Sequence, residues 1–498
     1  MHSSVLLVVL VGLPALGALV LAAWRGLDRA TAVWVASGIA LAELAGALVL
    51  AVGYAPNGAV YQDTATQPIA PSFGLVWRSG IDGISMLLIV LTAIIVPLAI
   101  LGATERLGTR AALGWLLLLQ SATVGSFASL DVLVFFLFFE LSLVPAYFLI
   151  ARWGDRARGP AAAMKFFVYT LAGSAFLFVG ILAIGFLHKS QAGGALTFSI
   201  TDLANTHLSG TTGVLLLCAF TVAFAVKAPI FPFHTWSPDA YAEAPVAGSV
   251  VLAALLAKLG TYGILRFDIT LFGHAFATAA PWLLGLAVAS ILYGAVVACG
   301  TGELKRLLAY SSLAQMGFIV LGTASLNSTG VTGAVLAMFN HGIIIAALFL
   351  LVGFLAERTA TTQAAALRGL QGPAPVLAAL FTVAMLASIG LPGLNGFVGE
   401  FLVLLGFFGA HGWWAVLPTL GVVLAAIYLL WAYQQVFQGP AIGRTATIAD
   451  LGLRERAVLA PLVALMVVLG VYPKLVVDRI QPSVIHLLAH LNPALLVR

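Results

Sequence analysis

The sequence contains little charge. Asp, Glu, Lys and Arg make up 8% of its 498 residues and 62% are hydrophobic, whereas an ordinary soluble domain carries about 25% charged residues. So few charges cannot cover a soluble fold of this size, which excludes soluble enzymes, nucleic-acid-binding proteins and disordered chains. The remaining class is an all-α polytopic membrane protein, with room for about 14 helices at roughly 20 residues per span. The net charge of +5 fits cytoplasmic loops rich in Arg and Lys.

Cysteine and nucleotide-binding motifs are also scarce. The two cysteines, Cys218 and Cys299, lie in apolar stretches, and the sequence has no CxxC motif. An iron–sulfur cluster usually needs four ligands, so this chain alone cannot hold one. There is no Walker A loop and no GxGxxG after a predicted strand. Together with histidines that lack metal-ligand spacing, these absences predict no cofactor and no metal in this chain.

Hydropathy predicts fourteen transmembrane helices. The first begins at the N-terminus, where a basic region typical of a cleaved signal is missing. The C-terminal tail, residues 474–498, is predicted to contain a short interfacial helix. The predicted helices span residues 4–24, 31–53, 81–103, 111–130, 131–151, 161–187, 212–236, 246–266, 278–299, 305–324, 328–356, 376–406, 412–438 and 455–473.

The basic residues predict the orientation of the chain. Of its 23 Lys and Arg residues, 14 lie in loops after odd-numbered predicted helices, and 6 lie in the other loops and the C-terminal tail. Cytoplasmic loops are enriched in Lys and Arg. The odd loops are therefore predicted to be cytoplasmic and both termini to lie outside, in the inner (plasma) membrane of the cell.

Two predicted helices contain breaks. The seventh carries Pro229 and Pro232 in AVKAPIFPFHTW, and the twelfth carries Gly390, Pro392 and Gly393 in ASIGLPGLNGFVGEF. Broken helices at membrane depth are tolerated inside protein or beside water, and two such segments are typical of transporters built from inverted repeats. Ordinary proline kinks are the alternative. The transporter interpretation is favoured because each break lies within eight residues of a buried charge.

Several ionisable residues lie in predicted membrane helices, where a charge costs about 2.5–3.5 kcal/mol on insertion scales, and six of them form the main candidate set. None of the charged ones has an opposite charge at i+3 or i+4, so any partner must lie on another helix. One alternative is a static ion pair, such as Glu140 with Lys227, that only fixes packing. Their spread over several helices favours a proton relay. The residues are Glu140, Lys227, His234, Lys258, His341 and Glu400.

Other ionisable residues have simpler explanations. Glu43 interrupts the second helix and could be functional, or could bond a neighbouring chain or a serine. Lys165 could snorkel from the start of the sixth helix. Asp82 and Asp131 are expected to be helix N-caps. Two further acidic residues are expected to shape a turn, with a lesser role in loading protons: Asp239 and Glu243.

Several motifs resemble one known family. VKAPIFPFHTWSPDAYAEAPVAGSVVLAALLAKLGTYGILRF, FFELSLVPAYFLIARWG, ELKRLLAYSSLAQMGF, NHGIIIAALFLLVG and LASIGLPGLNGFVGEF are similar to the core of the antiporter-like membrane subunits of respiratory complex I. Their order and spacing match over about residues 80–480. The sequence is most similar to the M-type subunits, counterparts of mitochondrial chain 4, because related L and N subunits usually carry lysine at the position of Glu400.

The resemblance implies a domain arrangement. Residues 1–110 would form helices 1–3. Two inverted five-helix repeats, each with one broken helix, would follow at 111–266 (helices 4–8) and 278–438 (helices 9–13). Residues 455–498 would form helix 14 and the tail.

The resemblance also implies residue roles. Glu140 would pair with Lys227 and modulate its proton affinity, Lys258 would be the central relay group, and Glu400 would end the path. His234 and His341 would bridge these groups through water. One position departs from the family, because many relatives carry histidine where this chain has Gln315. A glutamine binds water but does not titrate, so a relay there must use water, or the histidine is not essential.

The expected function is therefore proton translocation by a non-redox subunit of NADH-quinone oxidoreductase. NADH, FMN, iron–sulfur clusters and quinone would be bound by partner subunits. Its neighbours would be two antiporter-like subunits and lipids. It would not bind nucleic acid. The alternatives are a subunit of an Mrp-type Na⁺/H⁺ antiporter or membrane-bound hydrogenase, a structural membrane scaffold, and a quinone-reducing subunit, against which the missing cofactor motifs speak.

Overall fold

The computed structural model describes residues 2–103, 108–441, 443–489 and 491. His490 and the end of the predicted tail, residues 492–498, lie outside the described residues. The chain is mainly helical, so the predicted class of polytopic helical membrane protein is confirmed. Among the described residues, eleven helical segments are long and apolar enough to cross a membrane, or twelve if one bent pair is counted. The count of fourteen stays a prediction, because two of these segments, Val246–Cys299 and Asn395–Phe437, are each long enough for two crossings.

The α-helices follow one another along the whole chain. In the N-terminal half they are α1 His2–Ala23, α2 Arg29–Gly53, α3 Gly83–Leu101, α4 Arg110–Ala128, α5 Val132–Leu141, α6 Leu143–Trp153, α7 Gly159–Ala192, α8 Ile200–Leu203, α9 Gly210–Lys227 and α10 Ser237–Glu243. In the C-terminal half they are α11 Val246–Val251, α12 Ala257–Gly263, α13 Ile269–Cys299, α14 Leu304–Ala324, α15 Ser328–Thr359, α16 Pro375–Ile389, α17 Asn395–His411, α18 Val416–Phe437, α19 Leu453–Val471 and α20 Lys474–Ala489.

The packing is that of a protein in lipid. Helix α15 is the centre of the molecule, where every residue from Gly330 to Leu355 is buried. The outer helices instead expose large apolar side chains, such as Phe176 and Val179 on α7. Such extensive apolar surface needs a lipid or protein neighbour.

In the described part of the chain, one β-hairpin interrupts the helices. Strands β1 (Gln62–Ala70) and β2 (Leu75–Ile81) form an antiparallel hairpin with Thr66 opposite Arg78. The hydropathy search did not find it, because its residues are too polar and its segment too short for a span. The hairpin leads directly into Asp82, which caps α3 as predicted. The Asp82 carboxylate also pairs with the buried Arg266 at 2.5 Å, so it joins α3 to the end of the segment that carries Lys258.

Both predicted breaks are present, but the seventh helix is shorter than predicted. It ends at Lys227 rather than at residue 236, and residues 228–236 form turns. The prolines at 229 and 232 remove two backbone donors within four residues, which disfavours continuation of the helix there. The prediction that His234 is helical is therefore wrong. The second break separates α16 from α17, and Gly390 ends α16 with a left-handed backbone at φ +81°.

Helices eight and nine were predicted to be separate, and in the structure they lie in one helical run, Val246–Cys299, that a kink at Phe272 divides. The run contains two π-helical turns, Leu252–Leu256 and Ile264–Asp268, and a non-helical residue at Phe272. Lys258 lies between the two π-turns. π-Turns inside α-helices frequently occur at functional sites.

Candidate functional site

Glu140 lies near the end of α5, two residues before the break at Ser142 that separates α5 from α6. Its carboxylate accepts a short hydrogen bond from the Ser174 hydroxyl of α7. Ser174 Oγ also lies 2.9 Å from the carbonyl oxygen of Thr170, four residues earlier, so the two acceptors share its single hydrogen. Two helices therefore hold the carboxylate in one orientation.

Lys227 is fully buried at the last position of α9. Its Nζ lies 3.1 Å from Ser142 Oγ and 3.4 Å from the carbonyl oxygen of Phe139, and 4.5 Å from the centre of the Phe139 ring. These partners flank Glu140 in the sequence. Among the described residues, no ion pair joins Glu140 to Lys227, so the implied direct pair is not formed in this structure. The two charges are neighbours that each hydrogen-bond a serine.

Lys258 and His341 form the central pair. Lys258 Nζ lies 2.6 Å from His341 Nδ1 and donates to the carbonyl oxygen of Ala253 at 2.7 Å. Both side chains are buried. One nitrogen of the pair must donate and the other must accept, so lysine and histidine cannot both be fully protonated while this contact holds. The arrangement can pass a proton between them. His341 Nε2, on the far side of the ring, is buried without a protein partner.

Glu400 and Gln315 form the third group. Gln315 Nε2 donates to Glu400 Oε1 at 2.7 Å. Gln315, Asn340, His341, Ser388 and Glu400 line one small cavity, in which about 10 Å³ is available to the centre of a water molecule. That is about the space that one water needs. The glutamine thus contacts the carboxylate itself, and water has a place between His341 and Glu400.

Close helix contacts join these groups. A Cβ on Gly260 would lie 2.5 Å from the backbone nitrogen of Ala228, so the segments that carry Lys227 and Lys258 touch within two residues of each lysine. A Cβ on Gly399 would lie 3.1 Å from Cα of Ala337, which brings α17 against α15 near His341. Glycine permits both approaches.

Two asparagines support the second break. Asn340 Nδ2 donates to the carbonyl oxygen of Asn395, and Asn395 Nδ2 donates to Asn340 Oδ1. They hold the start of α17 against α15, one residue from His341. Our sequence reasoning missed both asparagines, and also Ser142 and Ser174. The signal was available, because each is a polar residue inside an apolar run.

Gly390 makes room for Glu400. A Cβ built on Gly390 would lie 2.5 Å from Glu400 Oε2, and its φ of +81° also disfavours any other residue. We expect Gly390→Ala to displace the carboxylate and lower any proton transfer through it about tenfold, since small misplacements of reacting groups are costly. The backbone strain adds roughly 1–2 kcal/mol.

Gly393→Ala is the matched control. Gly393 has φ +92°, but no neighbouring atom lies within 4 Å of a built Cβ, so this variant carries the strain without the collision. Proton transfer and thermal stability of both variants would be measured side by side. Equal loss of transfer in the two would show that strain at the break, and not the place of Glu400, is responsible.

The remaining candidates lie in an ion-pair network on another part of the chain. Asp239 accepts from Lys165 at 2.8 Å and from Arg306 at 2.9 Å, and Arg306 also binds Glu243 at 2.9 Å. Although burial opposes it, these bonds hold the pKa of Asp239 below its ordinary value. Asp239 and Glu243 belong to α10, so the expectation of a simple turn is wrong. Lys165 is paired rather than only snorkelling, and none of these described bonds reaches Lys227 or Lys258.

His234 does not contact the pair formed by Lys258 and His341 through any described hydrogen bond. Its ring packs on Phe231 and Tyr293, and its Nδ1 is buried without a protein partner. No described hydrogen bond joins it to either buried lysine. Within the described parts of the chain, no group of three or more His, Cys, Asp or Glu could hold a metal ion.

The sequence and fold were compared with known proteins. The transmembrane family described as NADH:quinone oxidoreductase/Mrp antiporter matches residues 129–427. NADH-quinone oxidoreductase subunit M of Rhodobacter capsulatus is 40% identical over 470 residues, which cover 92% of this chain and 91% of the relative. Subunit M of Mycobacterium tuberculosis is 35% identical over 493 residues, with 92% and 89% covered.

Solved structures agree. A chain of respiratory complex I from Thermus thermophilus superposes with a TM-score of 0.89 at 34% identity, covering 98% of this chain and all (100%) of that one. A chain of the Mrp complex from Dietzia sp. gives a TM-score of 0.88 at 22% identity, covering 99% and 98%, which is a likeness of fold alone. The family match covers more than half of the sequence, and the relatives cover nearly all of it. The chain therefore belongs to the NADH:quinone oxidoreductase/Mrp antiporter transmembrane family.

Proposed function

We propose that this chain is a proton-translocating membrane subunit of NADH-quinone oxidoreductase. Proton transfer would occur through the groups Glu140, Lys227, Lys258, His341 and Glu400, of which Glu140 is half-buried and the others are buried. The observation that carries the proposal is the buried contact of 2.6 Å between Lys258 Nζ and His341 Nδ1. A lysine that served only packing would need acceptors for its ammonium group, but these acceptors would not need to be able to take its proton. The imidazole nitrogen of His341 can take the proton.

The proposed transfer runs in three steps. A proton on Lys258 Nζ moves to His341 Nδ1 and leaves a neutral amine and an imidazolium. The imidazolium releases the proton on its other nitrogen, Nε2, to water in the cavity shared with Glu400. Glu400 then accepts it while Gln315 holds the opposite carboxylate oxygen. Gln315 needs no protonation change in this scheme, so the histidine common in relatives is not required.

Lys227 would control this transfer by its charge. Its ammonium is packed against α5 beside Glu140, and its segment touches that of Lys258 at Gly260. A second positive charge near Lys258 raises the cost of protonating it. Movement of Lys227 toward or away from Glu140 would therefore bias the proton on Lys258.

The remaining features of the proposal follow from the relatives and the charge pattern. The chain would lie in the inner membrane with both termini outside the cytoplasm, beside two antiporter-like subunits and lipids. It would take no direct part in redox chemistry: NADH, FMN, iron–sulfur clusters and quinone would be bound by partner subunits. His234, Lys165, Asp239 and Glu243 would shape the relay's surroundings rather than form its core.

The second candidate function is cation/proton exchange in an Mrp-type complex, because the description of the matched family also names the Mrp antiporter. The two differ in their partners. We expect mass spectrometry of the complex, purified in mild detergent, to find NADH-oxidising, iron–sulfur and quinone-site subunits with this chain. Recovery of antiporter-type membrane subunits alone would contradict the redox-driven proposal and favour the exchanger.

A further inference from the structure

Glu43 is a buried carboxylate outside the proposed relay. Glu43 is on α2, in the part of the chain before both predicted repeats, and is fully buried. Both of its carboxylate oxygens lack a hydrogen-bond partner. Two simple explanations therefore fail. A side chain with no exposed surface does not face a neighbouring chain, and no serine of the described residues bonds it.

No charge on the described helices that pack against α2 balances Glu43 either. Helices α1, α3 and α4 pack against α2. Helix α3 has no ionisable side chain, α1 has only His2 at its first position, and α4 has only Arg110 at its first position. Arg110 is bound elsewhere, to the carbonyl oxygen of Ala22. An ionised carboxylate without a countercharge or hydrogen bonds is strongly disfavoured in such surroundings. Glu43 must therefore carry a proton or bind a cation.

Gln120 lies at the same depth. A Cβ on Gly17 of α1 would contact both Ile39 of α2 and Leu117 of α4, which places these two residues at one level. Glu43 follows Ile39 by four residues and Gln120 follows Leu117 by three, so their levels differ by about 1.5 Å along the helices. Gln120 is fully buried, and neither its amide nitrogen nor its amide oxygen has a partner. Four buried polar atoms thus lack partners at one level of one three-helix unit.

We propose that Glu43 and Gln120 form a second proton-binding site, in which Glu43 is a neutral carboxylic acid and one water joins it to the Gln120 amide. The carboxylic acid supplies a donor and an acceptor, and the amide supplies both as well, so a bridging water satisfies all four atoms. The site does not rest on the proposed relay. It is nevertheless close to it, because α2 packs on α3 and Leu91 of α3 packs on Gly342, next to His341.

Infrared difference spectroscopy of the purified complex tests the site. At neutral pH we expect the wild type to show the carbonyl band of a protonated carboxylic acid that is missing from Glu43→Gln. This variant is near-isosteric, so it keeps the fold. The band should shift in Gln120→Leu, which removes the hydrogen-bond partner and leaves the acid in place. Glu140→Gln is the control, since it alters another carboxylate of the membrane helices and should leave this band unchanged.

Three results would overturn the proposal. If no carbonyl band is lost in Glu43→Gln, then Glu43 is ionised. If the band appears only after sodium is removed, the site binds Na⁺ rather than a proton. If Gln120→Leu leaves the band unmoved, the two residues do not share a site. Each result leaves the relay proposal untouched, because relay variants are measured by proton pumping.

Discussion

Replacing Lys258 with Met is expected to lower proton pumping by the assembled complex on the order of 10²-fold, the lower end of what a positioned proton-transfer group contributes. Methionine keeps the apolar stem of the side chain but removes the amine that contacts His341. It also removes a fully buried polar group, so the protein should assemble normally. The measurement is the proton uptake or release per NADH oxidised in reconstituted vesicles.

Two further variants make this result specific. Lys258→Arg keeps the positive charge but does not release its proton, so it should also fail to pump. Lys474→Met removes the exposed lysine that pairs with Asp478 on α20, and it should pump like the wild type. A structural scaffold needs no titratable path. Unchanged pumping in Lys258→Met would therefore favour the scaffold and disprove the relay.

Sequence reasoning reached the fold class and both helix breaks for one physical reason. Apolar length and backbone-breaking residues act locally, so their consequences can be read from a short window. Pro229 and Pro232 remove two backbone donors within four residues, which interrupts a helix locally. The same reasoning missed the β-hairpin 62–81, which is stabilised by pairing between strands, and the π-turns around Lys258, which one-dimensional hydropathy does not encode.

The candidate residues could be named from the sequence because a buried charge is costly wherever it lies. Their partners could not, because a partner comes from a distant helix. Glu140 bonds Ser174, 34 residues away, and Lys258 contacts His341, 83 residues away. The pairing implied for Glu140 and Lys227 shows the limit of a resemblance. The resemblance correctly placed Glu140 and Lys227 in one region, but in this structure each of them hydrogen-bonds a serine and not the other.

Replacing Glu140 with Gln is expected to abolish or nearly abolish coupled turnover. Glutamine has the shape of the carboxylate and can still bond Ser174, so packing is kept and only the charge is lost. Lys227 then lies beside Ser142 and the Phe139 carbonyl with no negative charge nearby on α5. Its ammonium would no longer be held on that side, and its control over Lys258 would be lost.

The required measurements are the NADH-driven proton gradient and the quinone reduction rate of the same vesicles. Ser174→Ala is the informative comparison, because it removes the hydrogen bond but keeps the charge on Glu140. If charge is what matters, Ser174→Ala should lose much less pumping than Glu140→Gln. Asp478→Asn, at an exposed position of α20, controls for the loss of a carboxylate as such. Normal pumping stoichiometry in Glu140→Gln would refute the role of Glu140 in moving Lys227, and the serine contacts alone would then fix that lysine.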